Sequence, residues 1–124
     1  MTETPFYVGS IMILAWGIAH LVPTRSVVNG FGAISQDNRR IITMEWVAAG
    51  MAMVFIGVLN LVITASGQFL DPVTLVVYRT SGIVLIALTV LSKLTGARTA
   101  IVPMKVCPYV QMAAGILFLV GSSG

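Results

Sequence analysis

Residues 42–65, ITMEWVAAGMAMVFIGVLNLVITA, form a continuous apolar stretch in which Glu45 is the only charged residue. As an α-helix these 24 residues would extend for about 36 Å, more than the roughly 30 Å hydrocarbon core of a bilayer. Three further stretches have the same character: residues 6–22, 72–94 and 106–120. The sequence therefore predicts an all-α integral membrane protein, a four-helix transmembrane bundle that forms a single domain over residues 1–124.

Composition excludes several classes of function. The chain is 57% hydrophobic and 9% charged, so it cannot present the polar surface of a water-soluble domain. Its net charge of +3 comes from few and scattered basic residues, which argues against a nucleic-acid partner and favours contact with membrane lipid. With His20 and Cys107 as the only residues of their types, neither a metal site nor an intrachain disulfide is expected.

The basic residues predict an orientation. Six of the seven lie in or next to the connections between the first and second and between the third and fourth stretches: Arg25, Arg39, Arg40, Lys93, Arg98 and Lys105. Four spans place both connections on one side of the membrane. By the positive-inside rule that side is cytoplasmic, so both termini are expected outside and the protein is expected in the bacterial inner membrane as a multi-pass protein.

The longest connection, residues 24–43, has some helical character. Val27, Val28, Phe31 and Ile34 recur near helical spacing among polar residues, which predicts a short helix at the membrane interface. Two glycines in this segment leave a mixed loop as the alternative. Farther along, Asp71 and Pro72 are suited to the N-cap and the first position of the third span.

One set of polar residues is expected near the cytoplasmic ends of the spans: His20, Glu45, Cys107 and Gln111. An ionised Glu45 could accept a hydrogen bond from His20. Alternatively, His20 bonds a backbone carbonyl or a headgroup, and Glu45 complements the dipole of its own helix. The Cys107 thiol is expected to be packed and inert.

A second set, Asn60 and Arg79, is expected at the outer level, about 10 Å below the membrane boundary. Arg79 retains its proton in proteins, so within the bilayer it requires a partner. The candidates are Asn60, a backbone carbonyl, a neighbouring protomer and a bound anion.

Two short motifs suggest a family. Gly17-Ile18-Ala19-His20 closes the first span just before Pro23, and Glu45-Trp46 opens a second span that contains glycines. In these features, over roughly residues 11–57, the chain resembles the small DoxX-like membrane proteins. The resemblance implies a four-helix bundle and an accessory role beside a membrane-bound sulfur or quinone oxidoreductase, with His20 and Glu45 as the corresponding positions.

These observations favour a small ligand-binding or accessory bundle whose cofactor or ligand is a quinone or another lipid. The candidate ligand-binding residues are His20, Glu45, Asn60, Arg79 and Gln111. One alternative is a homo-oligomeric transporter or channel that uses Glu45 and Arg79, and another is a structural partner in a larger membrane complex. An intramembrane enzyme is the least supported class, because no nucleophile and base are paired and no catalytic residue is identified.

Overall fold

The computed structural model describes residues 2–124, which contain α-helices and no β-strand. The α-helices are α1 (Thr4–Leu21), α2 (Thr24–Asn29), α3 (Gln36–Ala65), α4 (Pro72–Leu94) and α5 (Val102–Gly121). All except α2 are long and apolar enough to cross a membrane. The prediction of an all-α chain with four apolar helices of spanning length is therefore confirmed.

Helix α4 occupies the predicted residues 72–94, and its start has the expected chemistry. The Asp71 carboxylate accepts a hydrogen bond from the backbone N–H of Val73 at 2.9 Å. Pro72 takes the first helical position, where its missing N–H costs nothing. The cap and the proline together fix where this helix begins.

Helix α1 begins two residues earlier than predicted, at Thr4, and two other helices begin at least four residues earlier. Helix α3 begins at Gln36 rather than at residue 42, because the Ser35 hydroxyl accepts a hydrogen bond from Asn38 N–H and caps a polar first turn. Helix α5 begins at Val102 rather than at residue 106, with Pro103 in the first turn. Hydropathy locates the apolar part of each helix. The polar first turn of α3 depends on its Ser35 cap, whereas α5 begins without a side-chain cap.

The four long helices alternate in direction, so the start of α1 and the end of α5 lie at one end of the bundle. Tyr78, near the start of α4, stacks on Phe6 in the first turn of α1, with ring centroids 3.8 Å apart. Arg79 contacts Ser122, the residue that follows α5. We call this the terminal end, and we call the opposite end, with the two long connections, the loop end.

Helix α1 packs closely against α3 and α5, and α4 packs against α5, whereas α3 and α4 meet at few positions. Close approach depends on glycine. A Cβ atom on Gly57 would lie 2.7–2.8 Å from backbone and Cβ atoms of Leu14 in α1, and one on Gly82 would lie 3.0 Å from the carbonyl oxygen of Gly115. Small residues thus allow two helix pairs to meet backbone to backbone, as membrane helices commonly do.

The buried core runs along the bundle axis and includes Phe6, Ile13, Met53, Tyr78, Leu85 and Phe118. Many other apolar side chains point outward: Phe55 is 65% exposed and Ile83 is 62% exposed. An apolar surface of this extent suits a lipid environment, since water-soluble monomers rarely expose such continuous patches.

Candidate functional site at the loop end

His20 and Trp46 form a reciprocal contact between α1 and α3. Their rings stack with centroids 3.9 Å apart. His20 Nε2 lies 3.1 Å from the Trp46 carbonyl oxygen, and Trp46 Nε1 donates to the His20 carbonyl oxygen at 2.9 Å. Since a carbonyl oxygen only accepts, Nε2 carries the hydrogen, and Nδ1 of the neutral ring is left as an acceptor.

Glu45 is not the partner of His20. Its side chain is exposed, and the hydrogen bond of the His20 ring goes to the backbone of the next residue, Trp46. Successive residues of an α-helix point about 100° apart. Because Trp46 faces α1, Glu45 is turned away from it, so the two predicted residues share a level without meeting.

A cavity of about 180 Å³ lies between the four long helices at the loop end, and we call it the loop-end cavity. Its polar lining includes His20, Ser92 and Gln111. Gln111 is 3% exposed. It accepts a hydrogen bond from the Ser92 hydroxyl at 2.8 Å, and its amide nitrogen lies 3.6 Å from Met53 Sδ. Gln111 was predicted as a site residue, whereas Ser92 is a residue type that sequence alone does not distinguish from ordinary helix packing.

The other walls of the loop-end cavity are mainly apolar. They include Ala49, Ala52, Leu88, Leu91, Met104 and Cys107. The Cys107 thiol is free and buried, as expected for a packed cysteine. No charged side chain lines the cavity, so it is suited to an uncharged group with hydrogen-bonding atoms.

His20 also lines a second cavity of about 390 Å³, here called the side cavity, which lies beside α1 and the start of α5. Trp16, one turn before His20, lines it as well. Trp16 Nε1 and His20 Nδ1 are buried and have no hydrogen-bond partner within residues 2–124. An unpaired donor and an unpaired acceptor therefore lie one helical turn apart, and such groups normally have a partner.

An apolar groove of about 430 Å³ runs along the weakly packed seam between α3 and α4. It shares Ala52 with the loop-end cavity and continues from there toward the terminal end, between Phe55 and Leu59 on α3 and Val76 and Val84 on α4. We call it the α3–α4 groove. The polar loop-end cavity and the apolar α3–α4 groove thus lie next to each other along this seam.

Asn60 and Arg79 do not meet at the terminal end. Asn60 is fully buried and donates to the Ile56 carbonyl at 2.7 Å and to the Ser81 hydroxyl at 2.9 Å. The backbone carbonyl oxygen of Asn60 accepts from the Thr64 hydroxyl, which is also 2.7 Å from the Tyr78 hydroxyl. This network joins α3 to α4 in the core, so Asn60 acts here as a packing residue and contributes to neither cavity.

Arg79 instead binds the end of α5. Its Nε and Nη2 atoms donate to the Ser122 carbonyl oxygen at 3.1 and 2.6 Å. Of the partners considered from the sequence, the backbone carbonyl is therefore the one observed. The Gly-Ser-Ser-Gly sequence of residues 121–124 gave no reason to expect Ser122 as that carbonyl.

Within residues 2–124, no three His, Cys, Asp or Glu side chains converge on a common point. No protein-family model, curated protein or solved structure matches the chain.

Trp46→Phe is expected to lower the free energy of unfolding by about 1 kcal/mol, because phenylalanine keeps the ring stack and loses the hydrogen bond to His20. Thermal unfolding in detergent measures the change. Trp16→Phe is the matched control, since the Trp16 N–H has no partner in the described chain. An equal loss of stability in both variants would contradict the assigned role of the Trp46 hydrogen bond.

Proposed function

We propose that this protein is a multi-pass protein of the bacterial inner membrane that binds a lipid-soluble ligand, a quinone or another lipid, with its ring or head in the loop-end cavity. One observation carries the proposal: the loop-end cavity, with the polar side chains of His20, Ser92 and Gln111, adjoins the apolar α3–α4 groove. This polarity pattern matches an amphiphile with a small uncharged head and an apolar tail.

The charge distribution supports placing the loop end in the cytoplasm and both termini outside. The connections at the loop end and the adjacent helix ends carry all of the Lys and Arg residues except Arg79. In this orientation α2 lies at the cytoplasmic interface. A ligand from the cytoplasmic leaflet would have its head at the level of the loop-end cavity and its tail directed toward the bilayer centre, along the α3–α4 groove.

The dimensions of the site favour a single ring as the head. A cavity of roughly 150 Å³ is large enough for benzene, and the loop-end cavity measures about 180 Å³. On α4 the groove extends from Val84 to Val76, which corresponds to about 12 Å along the helix axis. The uncharged lining opposes an ionised head, because burying a charge without a partner is costly.

The direct test is the ligand retained by the purified protein, identified by mass spectrometry after extraction in a mild detergent. Gln111→Leu is expected to reduce the retained ligand about tenfold, the equivalent of one lost hydrogen bond of about 1.4 kcal/mol. His20→Phe should also reduce retention, since phenylalanine can stack on Trp46 but offers no polar atom.

Glu45→Gln is the control, because the Glu45 side chain is exposed and does not line the loop-end cavity. We expect it to retain ligand at the level of the unmodified protein. A protein that purifies empty, or a Glu45→Gln variant that loses as much ligand as Gln111→Leu, would contradict the proposed site.

Binding such a ligand would suit an accessory subunit beside a membrane oxidoreductase, the role that the resemblance to DoxX-like proteins implies. The alternative of a transporter or channel built on Glu45 and Arg79 has weaker support. Glu45 faces outward and Arg79 is bonded to Ser122, so a path through both residues would have to form between protomers of a homo-oligomer.

A further inference from the structure

A cleft of about 510 Å³ lies between α2 and the first turns of α3. Two arginines from different helices, Arg25 and Arg39, line it together with the polar side chains of Thr24, Asn29 and Thr43. Val22 and Val28 form its apolar part, and no acidic residue belongs to the lining. The cleft shares no lining residue with the loop-end cavity, so it constitutes a separate site.

Hydrogen bonds hold Arg39 in position at this cleft. Its Nη1 donates to Asn29 Oδ1 at 3.0 Å, and its Nη2 lies 3.4 Å from the Gly32 carbonyl oxygen. Gly32 has φ +75°, a conformation that glycine adopts readily and that lets the chain turn back toward Arg39. The guanidinium has five N–H donors, so donors remain available for a ligand after these contacts.

Arg25 completes the arrangement from the facing helix. It lies one turn before Asn29 on α2, so the residue that bonds Arg39 and the residue that supplies the second charge share one helix face. Two cations that line one cleft repel each other unless an anion lies between them. Guanidinium groups bind phosphate oxygens with matched, often bidentate, hydrogen bonds.

The position along the bundle indicates which anion is bound. Arg39 precedes Trp46 by seven residues of α3, which places it about 10 Å beyond the level of His20 toward the loop end. In the proposed membrane orientation this is the depth of the lipid headgroups. Val22, which is 80% exposed beside the cleft, provides a surface for the glycerol and the first part of an acyl chain.

We propose that the cleft between α2 and α3 binds the phosphodiester head of an anionic membrane lipid, held between Arg25 and Arg39. Basic pockets between membrane helices on the cytoplasmic side are suited to such heads. The proposal does not depend on a ligand in the loop-end cavity.

The test is a native mass spectrometry titration of the purified protein in neutral detergent. Phosphatidylglycerol is compared with phosphatidylcholine of the same acyl chains, which has the same phosphodiester but no net charge. We expect the protein to prefer phosphatidylglycerol. Arg25→Gln and Arg39→Gln should each weaken that binding about fivefold, the effect of losing one interfacial basic residue.

Arg98→Gln is the matched control, because it removes the same charge from the other connection at the loop end, away from this cleft. Since Arg39 also stabilises the turn, Arg25→Gln provides the cleaner test. An equal effect of Arg98→Gln would indicate diffuse surface charge and overturn the site. Displacement of the lipid by inorganic phosphate in excess would show a site for soluble anions and overturn its assignment to lipid.

Discussion

Gly57→Val is expected to lower the free energy of unfolding by roughly 2–3 kcal/mol, within the range for an overpacked core. The reason lies at the crossing of α1 and α3. A Cβ atom at residue 57 would lie 2.7–2.8 Å from the N, Cα and Cβ atoms of Leu14. Backbone atoms cannot rotate away as a flexible side chain can, so the two helices must separate. Thermal or denaturant unfolding in detergent measures the loss.

Gly96→Ala is the control for Gly57→Val. A Cβ atom at residue 96 would have only Met104 atoms nearby, at 3.6–3.7 Å, which is ordinary van der Waals contact. We expect this variant to unfold within about 0.5 kcal/mol of the unmodified protein. If Gly57→Val were equally stable, α1 and α3 would have to pack less closely than the structure indicates.

Arg79→Leu is expected to lower the free energy of unfolding by about 2 kcal/mol, in the range for hydrogen bonds to a charged group. The substitution removes both donors from the Ser122 carbonyl oxygen and leaves the end of α5 without its cation. A cation beside the carbonyl end of a helix is also favourable to the helix dipole. Thermal unfolding in detergent is the measurement.

Lys93→Leu is the comparison for Arg79→Leu. Lys93 is exposed at the loop end and donates to the Tyr109 hydroxyl at 2.9 Å, so its loss is expected to cost less than about 1 kcal/mol. The stability of Arg79→Lys should lie between those of the two leucine variants. Lysine keeps the positive charge but cannot donate the paired hydrogen bonds of the guanidinium. Equal stability of Arg79→Leu and Lys93→Leu would contradict the role of the Ser122 contact.

Hydropathy and caps predicted most of the helical architecture. For α4 both boundaries were predicted, since Asp71 and Pro72 mark its start and a long apolar run follows. The start of α3 was placed six residues too late, at residue 42 instead of Gln36. Its first turns are polar, and their helical state depends on the Ser35 cap and on contact with α2, which hydropathy does not detect.

The polar residues show what depth alone can predict. Counting residues along each helix placed His20, Glu45 and Gln111 near one level, but the count says nothing about which way a side chain points. Trp46 occupies the face toward α1, and this directs Glu45 outward. His20 and Gln111 were therefore correctly predicted to share a region, and the proposed contact of His20 with Glu45 was not observed.

A backbone carbonyl was among the partners considered for Arg79, but which carbonyl it is could not be predicted, because that depends on how far α5 extends relative to α4. Counted from Pro72, Arg79 was expected about 10 Å within the bilayer. In the structure its level coincides with the first turn of α1 and the residue after α5. Relative helix offsets of this kind arise from tertiary packing and leave no local signal in the sequence.

The contacts at the terminal end also bear on the order of assembly during synthesis. Phe6 stacks on Tyr78 and lies beside Gly121. The Arg79 guanidinium donates hydrogen bonds to the Ser122 carbonyl oxygen. The first turn of α1 and the end of α5 are thus both held by neighbouring residues of α4. Phe6 is synthesised long before Ser122. Helices α1 and α3 can therefore pair early, while the Arg79 guanidinium of α4 has no partner until Ser122 is present. The contact of Arg79 with Ser122 can therefore form only after Ser122 has been synthesised, later than the pairing of α1 with α3.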